Sequence, residues 1–341
     1  MPDTEILTSL PTFSDVEAAA KTLRGITVRT PLLESPLLNA EIGGRVLVKP
    51  EMLQRTGSFK FRGASNRIRN LTPEENARGV LAFSSGNHGQ GVAAAAHAAG
   101  VAATLVMPAT APAIKVARCR AWGAEAILHD GDRKSMEARA QALAGERGLV
   151  LIPPYEDVFV IAGQGTAGLE LVQQSREADA ALDSILVPCS GGGLTAGITL
   201  AAEALSPGTD IHPVEPEGFD DTARSLAAGR RLENAPGTPS ICDALVVPIP
   251  GALTFAINAA RTGPGLSVAD SDIAPAAVAL FSHFKLVAEP SGAIALAAIL
   301  SGAFDVRGKT VAVVASGGNV DPAMYARLMA EGSGQSSVRS G

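Results

Sequence analysis

Short runs of β-branched and apolar residues alternate with helix-like stretches along this chain, and this alternation limits the possible folds more than any other feature. The runs occupy residues 45–49, 79–83, 104–107, 125–128, 184–188 and 310–314. Strands that alternate with helices form parallel sheets, because each helix carries the chain back to the same edge. We therefore predict an α/β protein with two parallel-sheet domains.

The spacing of these runs also suggests where the domains lie. Residues 79–150 contain closely spaced strands with helices predicted at 85–98, 112–122 and 134–146, which indicates a small inserted domain. The remainder, residues 1–78 and 151–331, then forms a larger discontinuous domain. Residues 332–341 are rich in Gly and Ser and are predicted to be a disordered tail.

Composition excludes several classes of protein. The chain has 341 residues, 46% of them hydrophobic, and a net charge of −6, so it lacks the basic excess that nucleic acid or anionic lipid requires. Its 3 cysteines are scattered and have no zinc-site spacing. The first twenty residues have neither a basic start nor an apolar stretch. We expect a cytoplasmic globular protein with no nucleic-acid or membrane partner.

The loop Ser190-Gly191-Gly192-Gly193-Leu194 directly follows a predicted strand and precedes a helix rich in Ala and Leu. Consecutive glycines at a helix start let backbone N–H groups surround an anion, which the helix dipole also favours. The alternative is a flexible turn. No Gly-Lys-Ser/Thr follows, so the phosphate-binding loop of a nucleoside triphosphatase is not supported.

A second glycine pattern, Gly163-Gln-Gly165-Thr-Ala-Gly168, matches the dinucleotide-binding fingerprint in its letters. It supports a distant alternative, an NAD-dependent oxidoreductase. The segment Pro153-Pro-Tyr-Glu-Asp157 stands between it and the preceding strand, and no acidic residue ends the next strand to bind a ribose. A simple helix start is the other interpretation.

Two polar motifs carry further candidate chemistry. Lys60 lies between Phe59 and Phe61, and an apolar setting lowers a lysine's pKa as a nucleophilic or proton-transferring amine requires. The segment 84–89 follows a strand, and its hydroxyl, amide and imidazole groups suit a carboxylate. An exposed lysine and an ordinary helix cap are the alternatives.

Taken together, these motifs resemble those of the fold-type-II pyridoxal-phosphate (PLP) enzymes, which have the tryptophan synthase β-like architecture. The resemblance runs from residue 31 to residue 324 and is strongest to the threonine/serine dehydratases and serine racemases. It depends on five motifs in family order, which are Thr56-Gly-Ser-Phe-Lys60-Phe-Arg-Gly63, Ser84-Ser-Gly-Asn-His-Gly-Gln90, Ile161-Ala-Gly-Gln-Gly-Thr166, Ser190-Gly-Gly-Gly193 and Ser316-Gly-Gly-Asn319.

The resemblance implies a role for each motif. Lys60 would bond covalently to PLP, with Phe59 beside the ring, and residues Ser190, Gly191, Gly192, Gly193 and Leu194 would hold its phosphate. Asn87 would bond the ring hydroxyl and Ser316 would face the ring nitrogen. Ser84, Ser85, Asn87 and His88 would receive the substrate carboxylate, and Ser85 would exchange a proton on the face opposite Lys60.

The implied activity is that of an ammonia-lyase which converts L-threonine, L-serine or a related β-hydroxy amino acid to a 2-oxo acid and ammonia. A serine racemase and a hydroxyaspartate dehydratase stay open as alternatives. Met136 stands where serine racemases carry an arginine, and Ala244 and Val247 replace a Gly and a Ser of that branch. These exchanges remove polar substrate contacts, which disfavours dicarboxylate substrates.

The resemblance also implies a metal site and an assembly. Glu215, the carbonyl of Phe219 and Asp221 match the cation ligands of the racemase-like branch, and such oxygens suit Mg²⁺ or Ca²⁺. An acidic surface turn is the alternative for these residues. A homodimer is expected.

Overall fold

The computed structural model describes residues 10–84, 86–111 and 113–334. Its strands form a six-stranded and a four-stranded sheet. The strands are β1 Leu33–Glu34, β2 Arg45–Pro50, β3 Val80–Phe83, β4 Ala103–Pro108, β5 Glu125–His129, β6 Val150–Leu151, β7 Ser184–Pro188, β8 Asp210–Pro216, β9 Leu266–Val268 and β10 Thr310–Ala315.

The six-stranded sheet has the order β1-β2-β10-β7-β8-β9, and every pairing in it is parallel except that of β1 with β2. The last strand, β10, lies between β2 and β7, with Thr310 beside Arg45 and Val311 beside Ser184. Val46 and Val48 pack in the hydrophobic core on one face of this sheet, whereas Leu47 packs in the core on its other face. Both faces are covered, as the continuous apolar runs require.

The four-stranded sheet has the parallel order β5-β4-β3-β6. Its strands all fall between Val80 and Leu151, so this sheet is built from one continuous stretch of chain. Val80 and Ala82 pack on one side and Leu81 packs on the other. The fold class predicted from the sequence is therefore confirmed.

Helices connect the strands and cover the sheets. They span Phe13–Thr22, Pro36–Ile42, Lys60–Arg69, Pro73–Arg78, Asn87–Ala99, Ala113–Ala121, Arg133–Arg147, Val158–Glu177, Gly193–Leu205, Asp221–Ala228, Ala252–Arg261, Ile273–Phe284, Pro290–Leu300 and Pro322–Ser333. Across the three described ranges, we find no helix with the length and apolar character needed to cross a bilayer. The last helix includes Gly332 and Ser333, so a disordered tail from residue 332 is wrong at those two positions; residues 335–341 lie outside the described residues.

The fingerprint-like glycines lie inside the helix Val158–Glu177 instead of at a strand-to-helix turn. A Cβ on Gly165 would approach the carbonyl oxygen of Gly197 to 2.8 Å, and one on Gly168 would lie 2.8 Å from Ile198 Cα. These glycines let two buried helices pack closely. The dinucleotide-binding interpretation is therefore wrong, and so is that of a helix start.

A buried ionic network fixes the helix Lys60–Arg69 against the helix Val158–Glu177. The guanidinium of Arg62 donates to both carboxylate oxygens of Glu51, at 2.8 and 2.9 Å, and to Glu170 at 2.8 Å. Lys49 donates to the same Glu170 at 2.8 Å. Because a buried charge without its partner is costly, this network holds the backbone of Lys60, two residues from Arg62, in one position.

Candidate active site

A cleft of about 320 Å³ opens between the two sheets, where the loops that follow β3, β7 and β10 meet. This is the edge at which open α/β sheets bind ligands, because the carboxyl ends of parallel strands converge there. The cleft brings together nearly all the described residues to which the sequence gave cofactor or substrate roles. They are Phe59, Lys60, Ser84, Asn87, His88, Ser190, Gly191, Gly192, Gly193, Leu194 and Ser316.

The glycine loop after β7 forms an anion cradle. The hydroxyl of Thr254 donates to the Gly191 carbonyl at 2.5 Å, and the amide of Asn258 donates to the Gly192 carbonyl at 3.3 Å. Both carbonyls therefore have partners, while the N–H groups of residues 191–194 bind no acceptor among the described residues. Free N–H groups at the start of a helix bind phosphate well.

Glycine is required in this loop for two reasons. Gly192 has φ +86°, a left-handed conformation that other residues rarely adopt. A Cβ on Gly191 would lie 2.3 Å from the ring of Tyr155, which packs directly over the loop. The carboxylate of Glu156 accepts from the backbone N–H groups of Ala252 and Leu253, which fixes the helix that carries Thr254.

Lys60 lies at the floor of the cleft, at the first position of its helix. Its Nζ donates to the carbonyl of Pro154 at 3.0 Å and lies 4.9 Å from the centre of the Phe59 ring. Desolvation, and after it the positive charge of Arg133, lowers the pKa of the Lys60 amine from 10.5 to about 7. About half of the amine is neutral at pH 7, whereas an ordinary lysine is less than ~0.1% neutral there.

Ser316 follows β10 and is 5% exposed in the wall of the cleft. Its carbonyl accepts the N–H of Phe59 at 3.2 Å, and Ser58 pairs with Gly317 through an isolated β-bridge. The segment that carries Lys60 and the segment that carries Ser316 are thus hydrogen-bonded to each other. The residue at this place in the cleft wall therefore carries a neutral hydroxyl, which stabilises a neighbouring positive charge less than a carboxylate would.

Asn87 is held from both sides of its amide. Its Nδ2 donates to Glu289 Oε1 at 2.6 Å, and its Oδ1 accepts from Asn319 Nδ2 at 2.7 Å. Asn319 also donates to the carbonyl of Thr56 at 2.7 Å. Burial, opposed by the hydrogen bond from Asn87 and reinforced by the charge of Asp243, raises the pKa of the Glu289 carboxyl from 4.5 to about 7.

His88, in the predicted carboxylate-binding segment, has one of its two ring nitrogens already occupied by a hydrogen bond. His88 Nε2 lies 2.8 Å from the carbonyl of Ile152, so this nitrogen must carry the proton and donate it. Burial, followed by the charge of Lys60, lowers the pKa of His88 to about 3, which keeps the ring neutral. Ser84 also lines the cleft, and Ser85 lies outside the described residues.

The predicted metal ligands lie at the end of β8, away from the cleft lining. Glu215 accepts from the backbone N–H groups of Thr222 and Ala223, at 3.0 and 2.8 Å. Asp221 Oδ1 accepts from Asn234, whereas Asp221 Oδ2 is buried without a described partner. Burial raises the pKa of both carboxyls, that of Asp221 to about 6, and the charge of Asp221 raises that of Glu215 further.

Sequence reasoning missed four cleft residues: Lys115, Arg133, Tyr155 and Glu289. Glu289 could have been suspected, because it directly precedes Pro290 at a helix start, where acidic residues are favoured. Arg133 and Lys115 carry no such local signal, since each belongs to an ordinary polar helix and reaches the cleft only through folding.

Comparison with known proteins gives the cleft its context. Residues 23–317 match the family described as pyridoxal-phosphate dependent enzyme. The chain is 39% identical to the L-threonine ammonia-lyase of Thermotoga maritima, covering 94% of this chain and 79% of that one. It is 40% identical to the L-threo-3-hydroxyaspartate ammonia-lyase of Saccharomyces cerevisiae, with coverages of 94% and 97%.

Structural similarity agrees with these relatives. The fold superposes on maize serine racemase with a TM-score of 0.88 at 36% identity, covering 95% of this chain and 98% of that one. The family match spans most of the chain, and the motif residues that suggested it meet in one cleft. This chain belongs to the fold-type-II pyridoxal-phosphate-dependent enzymes.

Proposed function

We propose that this enzyme is an ammonia-lyase that eliminates water from L-threonine, L-serine or a related β-hydroxy amino acid, after which hydrolysis of the resulting enamine takes up water again and gives a 2-oxo acid and ammonia. The observation that carries the proposal is the position of Lys60, a partly buried amine with a pKa of about 7, in a cleft that also contains the anion cradle and Ser316. The 35–40% identity to threonine and hydroxyaspartate ammonia-lyases and to a serine racemase supports the same reaction class.

The cleft residues fit PLP. Free N–H groups of residues 191–194 suit its phosphate, Phe59 offers an apolar surface to its ring, and Asn87 keeps one N–H for the ring hydroxyl. Ser316 would face the ring nitrogen, and Lys60 would hold the aldehyde carbon. When bound, PLP supplies an electron sink for negative charge at the substrate Cα.

In the proposed reaction, Lys60 would act as the base that takes the proton from the substrate Cα. A pKa of about 7 suits this task, because the amine is then both available as a base and able to return the proton. Ser84, Ser85, Asn87 and His88 would orient the substrate carboxylate. His88 can contribute only Nδ1 or its backbone N–H, since Nε2 is bound to Ile152.

A substrate panel tests this proposal. We expect the purified protein to be yellow and to release 2-oxo acid and ammonia from L-threonine or L-serine. Lys60→Ala should abolish both the visible absorbance band and the activity, a loss of at least ~10³-fold. A protein that binds PLP but releases no ammonia from any β-hydroxy amino acid would contradict the proposal.

Serine racemase activity is the second candidate, because the maize racemase superposes so closely. Racemisation needs a proton donor on the face opposite Lys60, which we assign to Ser85. In the same panel, Ser85→Ala should abolish racemisation and D-serine turnover while L-threonine elimination survives. Loss of elimination with intact racemisation would mean that these two proton roles are wrongly assigned.

We also propose that Glu215, the carbonyl of Phe219 and Asp221 bind Mg²⁺ or Ca²⁺, with water completing the coordination. The unpartnered Asp221 Oδ2 and the raised pKa values of both carboxyls indicate a buried cluster that lacks positive charge. The expected homodimer and cytoplasmic location remain proposals of the same kind.

Thermal unfolding tests the metal site. Mg²⁺ in 100-fold excess over its Kd should stabilise the wild type by about 2.7 kcal/mol, because a ligand that binds only the native state shifts the equilibrium. Glu215→Ala should lose this response, whereas the exposed Glu203→Ala should keep it. An equal response of wild type and Glu215→Ala to Mg²⁺ and to Ca²⁺ would reject the site.

A further inference from the structure

Two side chains one helical turn apart face the cleft from the helix Arg133–Arg147. Arg133 and Met136 both line it, and positions three apart lie on one face of a helix. Met136 is buried and also packs in the core beneath the small sheet, while Arg133 is exposed in the cleft. This wall therefore offers a cation and an apolar surface side by side.

Arg133 differs from the other cations of the cleft in having no partner among the residues that the structure describes. Lys60 donates to the Pro154 carbonyl, and Lys115 lies 4.0 Å from Asp243. Within the described residues, no carboxylate lies within 4.0 Å of the Arg133 guanidinium. The adjacent Asp132 is instead used to cap its helix, by accepting the N–H of Ser135 at 2.8 Å.

Arg133 is also close enough to the reacting groups to act on a substrate. Its charge contributes to the lowered pKa of Lys60 at the cleft floor, and it acts on Tyr155 above the anion cradle. An unpaired guanidinium that borders the reaction centre is available to an incoming anion, and arginine binds carboxylates through two parallel hydrogen bonds.

The substrates of the two ammonia-lyase relatives differ in one group. L-Threonine carries a methyl on its β-carbon, and L-threo-3-hydroxyaspartate carries a carboxylate there. A methyl needs only an apolar contact such as Met136, whereas a carboxylate needs a cation once water is displaced. Met136 thus suits the methyl substituent, and Arg133 suits the carboxylate substituent.

We infer that Arg133 is a specificity-determining residue that binds a carboxylate on the substrate β-carbon, so that the enzyme accepts L-threo-3-hydroxyaspartate as well as L-threonine. This inference rests on the proposed function. It revises the expectation drawn from Met136 alone, because an arginine one turn earlier on the same helix supplies the positive charge that Met136 lacks.

The test compares the ratio of kcat/KM for L-threo-3-hydroxyaspartate to kcat/KM for L-threonine. Arg133→Met should lower this ratio by about 30-fold or more, because the site loses its partner for a buried carboxylate. Arg133→Lys should restore part of it. The control is Arg139→Met, which removes the same charge from the same helix at an exposed pair with Glu146 and should leave the ratio unchanged.

A binding measurement makes the test independent of turnover. L-Aspartate and L-2-aminobutyrate have the same two substituents but no β-hydroxyl to eliminate, and their binding can be followed by absorbance titration of the holoenzyme. Arg133→Met should raise the Kd of aspartate about 30-fold more than that of 2-aminobutyrate. If the enzyme eliminates from no β-hydroxy amino acid, the proposed function fails, and this titration alone decides the role of Arg133.

Three outcomes would overturn the inference. The wild type could turn over threonine without turning over hydroxyaspartate, or Arg133→Met could weaken both ligands of a pair equally. Equilibrium dialysis could instead show that Arg133→Met loses PLP affinity while the substrate ratio stays constant. That result would place the guanidinium on the cofactor phosphate.

Discussion

The two walls of the cleft differ in the groups that they present: one presents backbone N–H groups and the other presents side chains. On the side of the large sheet, the loop Ser190–Leu194 presents backbone N–H groups; Thr254 and Asn258 bind its carbonyls, and the Tyr155 ring packs over it. On the side of the small sheet, the helix start at residues 131–136 presents side chains, of which Arg133 is exposed and unpaired among described residues.

This difference indicates how recognition is divided. A single substitution cannot remove a backbone N–H except by introducing proline, so a substitution in the anion cradle acts mainly through the volume that its side chain adds. Side chains on an exposed helix start can be exchanged at little cost in stability. We therefore expect cofactor binding to depend on the first wall and substrate selection on the second.

The largest effect should come from Gly191→Ala on the backbone-built wall. The new Cβ would lie 2.3 Å from the Tyr155 ring, so the loop or the ring must move. We expect the Kd for PLP to rise about 100-fold, which corresponds to roughly 2.7 kcal/mol of strain. Equilibrium dialysis measures this, with Gly208→Ala, which meets no atom within 4 Å, as the control. An unchanged Kd would mean that the loop is not the cofactor site.

An effect of similar free energy, in folding stability instead of cofactor affinity, is expected where the walls meet, at Glu289. Its carboxyl has a pKa raised to about 7 from 4.5, so the native apoprotein keeps a proton that the unfolded chain loses between these pH values. Stability from this group is present below about pH 4.5 and is lost as the pH rises to 7. Glu289→Gln keeps the acceptor for Asn87 without this titration.

Urea unfolding of both apoproteins at pH 5 and pH 8 measures the effect. Relative to Glu289→Gln, the wild type should lose about 2 to 3 kcal/mol between these pH values. The exposed Glu203→Gln should track the wild type. Parallel pH profiles for Glu289→Gln and the wild type would show that the carboxyl titrates normally.

The smallest effect should come from Asp132→Ala on the side-chain wall. This substitution removes the cap on the Ser135 N–H and should cost about 1 kcal/mol of unfolding free energy. Because Asp132 belongs to the wall that we assign to the substrate, the Kd for PLP should stay within about 2-fold. A loss of PLP affinity comparable to that of Gly191→Ala would remove the distinction between the walls.

The sequence predicted the parts of the fold whose signal is local. Continuous apolar strands such as Ser184–Pro188 and Thr310–Ala315 were recognised because burial on both faces requires an unbroken apolar run. The strand Asp210–Pro216 was missed, because Pro213, His212 and two acids interrupt its pattern. It forms because β7 and β9 supply its pairing partners.

The residues of the candidate site also divide into those with a local sequence signal and those without one. Lys60, the glycine loop and Ser316 were found because each stands in a short, contiguous motif, and the structure brings all of them to one cleft. Glu289 and Arg133 have no local motif, since their significance arises from contacts with Asn87 and with the cleft. Such contacts form only in the folded chain.

The central position of β10 has a consequence for the order in which the molecule can be assembled. During synthesis, every strand of the small sheet has been made once Leu151 is added. That sheet therefore has all four of its strands early. The large sheet has to wait for Thr310–Ala315, the strand that separates β2 from β7. Lys60 and the glycine loop, which belong to opposite sides of that strand, therefore come together only after the chain has been made as far as Ala315.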